Sequence, residues 1–262
     1  MNTPVTRRQA VKSLCIGAFG LIGSTAFKYL PVQRHIITLS FDDGFEKSSI
    51  KTAELYEKYG LSACINVVAT GHTNNPKLPN EFRQWKAGDF SLWNDLKRRG
   101  HEIMPHSYQH TGLDTVSFDE GKTLILKCLE VFAKELDGFD AKKAVYNFAY
   151  NAFTPEIEEW IKTQVRAIRD DCGGSGYNPF PYKGMFKLKG TTYGGDNIDK
   201  ALEEKINRFL EGPPGWFVFN SHGVDEEGWG PISSGYLDEL LCRLSAMENV
   251  LVMPSGLALD LA

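Results

Sequence analysis

The chain has no surplus of positive charge. Lys and Arg number 29 against 33 Asp and Glu, giving a net charge of −4 and a pI near 5.9. That leaves no basic footprint for a nucleic-acid partner, and it makes a large polyanion a less natural substrate than a neutral or aminated glycan. Cysteine is sparse and scattered. Cys15, Cys64, Cys128, Cys172 and Cys242 show none of the paired spacings of a thiolate zinc centre. The four beyond the N-terminal stretch allow three disulfide connectivities, and the sequence favours none. Internal repeats and low-complexity tracts are absent. The apolar stretch at residues 14–27 falls short of the roughly 20 residues that a bilayer-spanning helix needs.

What precedes that stretch is informative. Arg7 and Arg8 stand in TRRQAVK, just ahead of it. Residues 1–30 therefore read as a leader of the twin-arginine type, and export to the periplasm or the extracellular space is expected, with no stable membrane span once the leader is removed. Residues 31–262 are long enough for one β/α barrel, without a second domain.

Strand and helix patterns alternate along this remainder. Strands are expected at 35–41, 62–68, 101–104, 144–149, 164–168, 216–220 and 249–253. Helices are expected at 46–59, 89–99, 117–136, from Pro155 onward, 198–210 and 233–247. Ser117 with Glu120 makes a capping-box pattern, and Thr154-Pro155 places proline at a first helical position. Such alternation argues for a parallel sheet with crossover helices.

Polar residues follow strand after strand at the C-terminal end: Asp42-Asp43, His106, Asn151, Asp170-Asp171 and His222. In a β/α barrel that rim is where catalytic groups collect. Asp-Asp-Gly alone is an ordinary turn, and His-x3-His alone is a weak signal. Together, Asp42, Asp43, His106 and His110 offer two carboxylates and two imidazoles. A catalytic zinc centre keeps three protein ligands and one open position, where the metal lowers the pKa of water to about 7. One Asp and two His fill three positions, and the second Asp is left to take a proton.

The stretches ITLSFDDGF, GHEIMPHSYQH and FVFNSHGV resemble, in order and spacing, the motifs of the polysaccharide deacetylases. These carry a NodB-type domain and are also called carbohydrate esterase family 4. The resemblance spans roughly residues 36–259. It implies a distorted (β/α) barrel holding one divalent metal, usually zinc, through Asp43, His106 and His110. It further implies Asp42 as general base and His222 as general acid. The expected reaction is hydrolysis of an N-acetyl group on an amino sugar of an acetylated polysaccharide, or of an O-acetyl ester on xylan.

The chain departs from the family pattern at two motifs. The third carries an Arg and a Pro-aromatic pair in the family; here the stretch is YNFAYNAF, with no Arg and with Asn151 in place of Pro. The fourth is represented only by Arg169-Asp170-Asp171. Arg169 is the candidate to replace the missing cation beside Asp42, and Asp170 or Asp171 the candidate to hold the His222 tautomer. Tyr150, Asn151 and Trp229 are candidate substrate contacts, Trp229 because an exposed indole can stack on a sugar ring. Trp85 and Trp93 are expected to pack locally beside an insertion at 70–88, and His35, His72 and His101 to be structural. Two alternatives stay open: an O-acetyl esterase on xylan, and a glycan-binding protein that keeps the metal ligands without turnover.

Overall fold

In the chain's computed structural model, which describes residues 34–170, 174–194 and 197–262, strands and helices alternate as the sequence suggests. The expected leader lies outside the described residues. β1 (His35–Phe41) leads to α1 (Glu46–Lys58), β2 (Cys64–Val67), the short α2 (Glu81–Gln84), α3 (Phe90–Arg98) and β3 (Glu102–Pro105). Then come α4 (Phe118–Glu135), β4 (Val145–Asn147), α5 (Pro155–Ile161) and β5 (Ala167–Asp170). The short strands β6 (Tyr177–Asn178), β7 (Lys187–Lys189) and β8 (Thr191–Thr192) precede α6 (Ile198–Glu211) and β9 (Trp216–Ser221). The described chain closes with α7 (Ser234–Ala246), β10 (Val250–Val252) and α8 (Ser255–Leu259). No described helix is long and apolar enough to cross a membrane.

Several helix starts follow from local sequence. Asp89 accepts from the Leu92 N–H, Ser117 from Glu120, Thr154 from Ile157 and Ser233 from Tyr236. Each such cap is worth about 1 kcal/mol. α1 is different, because Phe45 offers no cap. Instead the carboxylate of Glu227, far along the chain, accepts from the Ser48 N–H at 2.7 Å.

β1 is the central strand. It pairs in parallel with β9 from Ile36↔Trp216 to Phe41↔Ser221, with β2 at Ser40–Phe41 and with β10 at His35–Ile37. The larger sheet runs β3-β2-β1-β9-β6, and a second runs β4-β5-β7. One segment straps the two together: β7 pairs with β5, and after Gly190, β8 pairs with β9. On the other side no ladder joins β3 to β4 among the described residues. There the Asn147 amide bridges to the Pro105 carbonyl at 3.3 Å. The result is a distorted β/α barrel whose ladders stay open between β3 and β4. All the ladders except β6–β9 are parallel, so the strands' C-terminal ends share one rim.

Alternation along β1 sorts its side chains. Ile37, Leu39 and Phe41 pack in the main core with Ala53 and Tyr56 of α1, while Ile36 packs with Val145, Ala167, Leu188, Trp216 and Val218. Ala258 and Leu259 of α8 join this second cluster. Above Ile36 on the same face, Thr38, Ser40 and Asp42 follow two apart. The barrel interior is therefore apolar at its base and polar toward the rim formed by the strands' C-terminal ends.

Glu102, at the base end of β3, is half-buried and accepts from the Gly256 N–H at 2.8 Å. Burial raises its pKa to about 7, against the opposing Gly256 bond. The folded protein thus binds this proton more tightly than the unfolded chain, whose Glu titrates near 4.3. Stability from this group is complete below about pH 4 and is lost as pH rises through 7. A Glu102→Gln protein, which keeps the acceptor, is expected to gain on the order of 1 kcal/mol over wild type at pH 8 and little at pH 4. Urea unfolding at both pH values checks this, and an equal effect at the two would refute it.

Candidate active site

β1 ends by delivering two adjacent carboxylates to the rim. Asp42 continues the strand's inward face. Asp43 has a left-handed backbone (φ 72°), as does Gly44 after it (φ 76°). A side chain at Gly44 would strike Val67 at 2.8 Å and Trp93 at 3.1 Å, so only glycine fits the turn. A left-handed Asp is uncommon and costs on the order of 1 kcal/mol. The left-handed residues Ser107, His110, Tyr150 and Asn151 lie at the ends of β3 and β4. Backbone strain therefore concentrates around one hollow.

Asp42 is buried, and both of its oxygens are bonded. The Arg169 guanidinium donates to both of its oxygens, Nη1 to Oδ1 at 2.8 Å and Nη2 to Oδ2 at 2.5 Å. Asn66 Nδ2 adds a bond to Oδ1 at 2.7 Å. Burial by itself would push the Asp42 carboxyl upward. The Arg169 charge, His106, the Arg169 bonds and His222 together outweigh it and hold the carboxyl below its ordinary range. The cation missing from the third motif's stretch is thus matched in space by Arg169, at the end of β5.

His106 is oriented from behind, its Nδ1 lying 3.1 Å from the Asn147 carbonyl. Donation to that carbonyl fixes the tautomer and leaves Nε2 with a lone pair facing inward. His110 is set by its own N–H, which donates to Ser107 Oγ at 2.9 Å. Asp43 Oδ1 stands 3.1 Å from His110 Nε2 and 3.5 Å from His106 Nε2. The three ligand atoms lie within 4.8 Å of one another. Asp43 Oδ1 is buried yet makes no hydrogen bond of acceptable geometry. One hard oxygen and two imidazole nitrogens this close together are a donor set that fits a divalent ion. Burial would raise the Asp43 pKa, but the His110 charge and the closeness of both imidazoles drive it well below the usual carboxylate range.

His222 follows β9 into the same hollow. Its Nδ1 is buried without a partner, and burial lowers its pKa against the pull of Asp43 and Asp42. The Trp229 ring meets it edge-on at 5.3 Å and lies against Gly194, where any side chain would collide with the indole. Trp229 still exposes 53% of its surface, and Tyr150, edge-on to His110 at 4.4 Å, exposes 59%. Asn151 also lines the hollow, with a buried and unpartnered Oδ1. The cavity holds about 530 Å³.

The structure thus gathers Asp42, Asp43, His106, His110, His222, Tyr150, Asn151 and Trp229 around one cavity, with Arg169 immediately behind Asp42. Asp171 lies outside the described residues. Asp170 is not among the cavity-lining residues, and its carboxylate pairs with Lys187 at 2.9 Å. The 70–88 insertion forms a wall, because Glu81, Phe82 and Trp85 line the cavity. Trp85 therefore does more than pack locally, whereas Trp93 is buried as expected. His35 and His101 are buried and bonded to the Gly212 carbonyl and the Ala63 N–H, which fits structural roles. Asn66, Phe82 and Trp85 gave no sequence signal, since a polar residue in a strand and aromatics in an insertion are each commonplace.

The model of the family described as Polysaccharide deacetylase matches residues 30–164. Among curated proteins no sequence matches the chain. Among solved structures, the fold is similar to the Xyl-CE4 domain of a multidomain xylanase from the hindgut metagenome of Trinervitermes trinervoides. Identity is 14%, 87% of this chain and 90% of that chain are covered, and the TM-score is 0.59. A family 4 acetyl xylan esterase from Clostridium thermocellum, in complex with a cobalt ion, is similar at 15% identity. Coverage there is 86% of this chain and 91% of that chain, with a TM-score of 0.57. Peptidoglycan deacetylase PdaC from Bacillus subtilis is similar at 14% identity, covering 87% and 92%, with a TM-score of 0.56. At such identities these likenesses speak for the fold alone.

Proposed function

Because the chain belongs to the polysaccharide deacetylase family, we propose that it is an exported, metal-dependent hydrolase that removes N-acetyl groups from the amino sugars of a glycan. The observation that carries this reading is the meeting of Asp43, His106 and His110 beside an Asp42 held ionised by Arg169. Asp43, His106 and His110 would hold the divalent ion, with zinc suited to one carboxylate and two imidazoles. When bound, the ion polarises the acetyl carbonyl and brings the pKa of water to about 7.

The remaining work falls to this chain's own side chains. Amide hydrolysis needs a base for the attacking water and an acid for the departing nitrogen. Asp42 takes the water's proton, its low pKa keeping it available across the neutral range. His222, whose charged form burial disfavours, gives its proton up readily to the leaving amine. Asp171 is a candidate to hold the His222 tautomer. Trp229 and Tyr150 offer exposed ring faces to the apolar C–H surfaces of a sugar, and the unpartnered Asn151 Oδ1 is placed to accept from an amide or hydroxyl. Export rests on Arg7-Arg8 ahead of an apolar stretch.

Acetate release from N-acetylglucosamine oligomers by the zinc-loaded protein is expected, and a chelator should abolish it. Release from acetylxylan alone would replace this reading with an O-acetyl esterase. Glycan binding with no acetate from any substrate would make the protein a binding module. The second of these drew its support from the missing third-motif Arg, and Arg169 on Asp42 weakens that support.

A further inference from the structure

We propose that Asn66 is a positioning residue for the reaction, its amide assigning Oδ2 of Asp42, and not Oδ1, as the oxygen that accepts the proton. The inference rests on the reading of Asp42 as general base.

A carboxylate has two oxygens and about four acceptor positions. The Arg169 fork by itself treats the two oxygens alike, one N–H to each. Asn66 breaks that symmetry. It is completely buried on β2, and its Nδ2 donates to Asp42 Oδ1 at 2.7 Å and to Ser40 Oγ at 2.6 Å. Arg169 Nη1 also reaches Ser40 Oγ, at 2.7 Å. Oδ1 thus receives two donors, from Asn66 and Arg169, and its acceptor positions are filled. Oδ2 receives one and keeps a position open. Oδ2 is also the oxygen facing the ligand cluster, 3.8 Å from His106 Nε2.

The amide orientation is fixed by its surroundings. Both Nδ2 protons are engaged, whereas among the described residues Asn66 Oδ1 faces only the Cys64 thiol, at 4.0 Å. A flipped amide would aim its carbonyl oxygen at the Asp42 carboxylate, two acceptors face to face. Ser40 stands two residues before Asp42 on the same face of β1, so a single inward row supplies both the base and the anchor of its orienting amide. Were Asn66 apolar, either carboxylate oxygen would be available, and the base would spend part of its time with the open position turned away from the water.

The test is an Asn66→Leu protein assayed on N-acetylglucosamine oligomers, with zinc affinity measured by calorimetry. A fall in kcat of at least about tenfold is expected, with KM and zinc affinity each within about twofold of wild type. In an Asp42→Asn background, which removes the base, adding Asn66→Leu should lower kcat no further. A merely structural role would add its full effect there. Loss of turnover in Asp42→Asn with wild-type kcat in Asn66→Leu overturns the Asn66 inference alone. Full turnover in Asp42→Asn overturns the base reading and this inference with it. Should Asn66→Leu fail to fold, Asn66→Ser, too short to reach Asp42, must show the same kcat loss. If neither folds, Asn66 is a structural residue and the proposal fails.

Discussion

An Asp43→Asn protein is expected to fold normally and to lose both divalent-metal binding and turnover. Asn is close in shape and tolerates the left-handed backbone that position 43 adopts (φ 72°). Metal-free stability should therefore stay within about 1 kcal/mol of wild type. What disappears is the anionic donor of a three-donor set whose atoms lie within 4.8 Å of one another. Two imidazoles alone retain little of the affinity, and without the ion several kcal/mol of charge stabilisation goes with it. A loss of more than about 10³-fold in acetate release follows. Melting curves supply a second reading: zinc should raise the Tm of wild type, as any ligand of the folded state does, and leave Asp43→Asn unmoved. Calorimetric zinc affinity within threefold of wild type would remove Asp43 from the ligand set.

The second large effect belongs to Arg169→Met. Arg169 and Asp42 form an ion pair with both side chains 1% exposed. Removing one partner leaves a buried charge uncompensated, which typically costs about 3–5 kcal/mol. The sign of the pH dependence can be worked out. In wild type the Asp42 pKa is lowered in the folded state, so the pair's stabilisation is present above the unfolded Asp value and lost as pH falls through the folded one. In Arg169→Met burial dominates and the folded pKa rises above the unfolded value. Destabilisation should then be small near pH 4 and grow toward neutrality. Turnover should fall by about 10²-fold or more at pH 7, with partial recovery at higher pH as the base ionises. Denaturant unfolding and pH–rate profiles check the two halves separately. Equal activity in the variant and wild type would leave Arg169 without a part in the reaction.

Much of this architecture was readable before any coordinates. The caps at Asp89, Ser117, Thr154 and Ser233 are local events between residues three apart; those at Ser117 and Thr154 fell where the sequence put helix starts, and the helices expected from 89 and 233 open on the other two. β1, β3 and β9 ended where polar residues replaced apolar ones, so the rim could be located. One strand was misplaced. Residues 164–168 read as extended, yet Gln164 and Val165 still donate to the Ile161 carbonyl and finish the turn of α5, which moves β5 to Ala167–Asp170. The shift matters, because it puts Arg169 inside a strand and within the barrel. The segment with β6, β7 and β8 gave no expected strands, its pieces being only two or three residues long.

By itself the order of residues determined which side chains reach the rim, since period-two alternation and strand endings are properties of a short window. It pointed to Asp42, Asp43, His106 and His222 as neighbours of one edge, and the resemblance added His110. The sequence offered Arg169 only as a candidate neighbour of Asp42; tertiary structure supplied the contact across 127 positions, and it alone brought Glu227 to α1 across 179 and Asn66 to Asp42 from an adjoining strand. A hydrogen bond between distant strands depends on register and barrel closure, set by every pairing around the ring, and no local pattern carries that information.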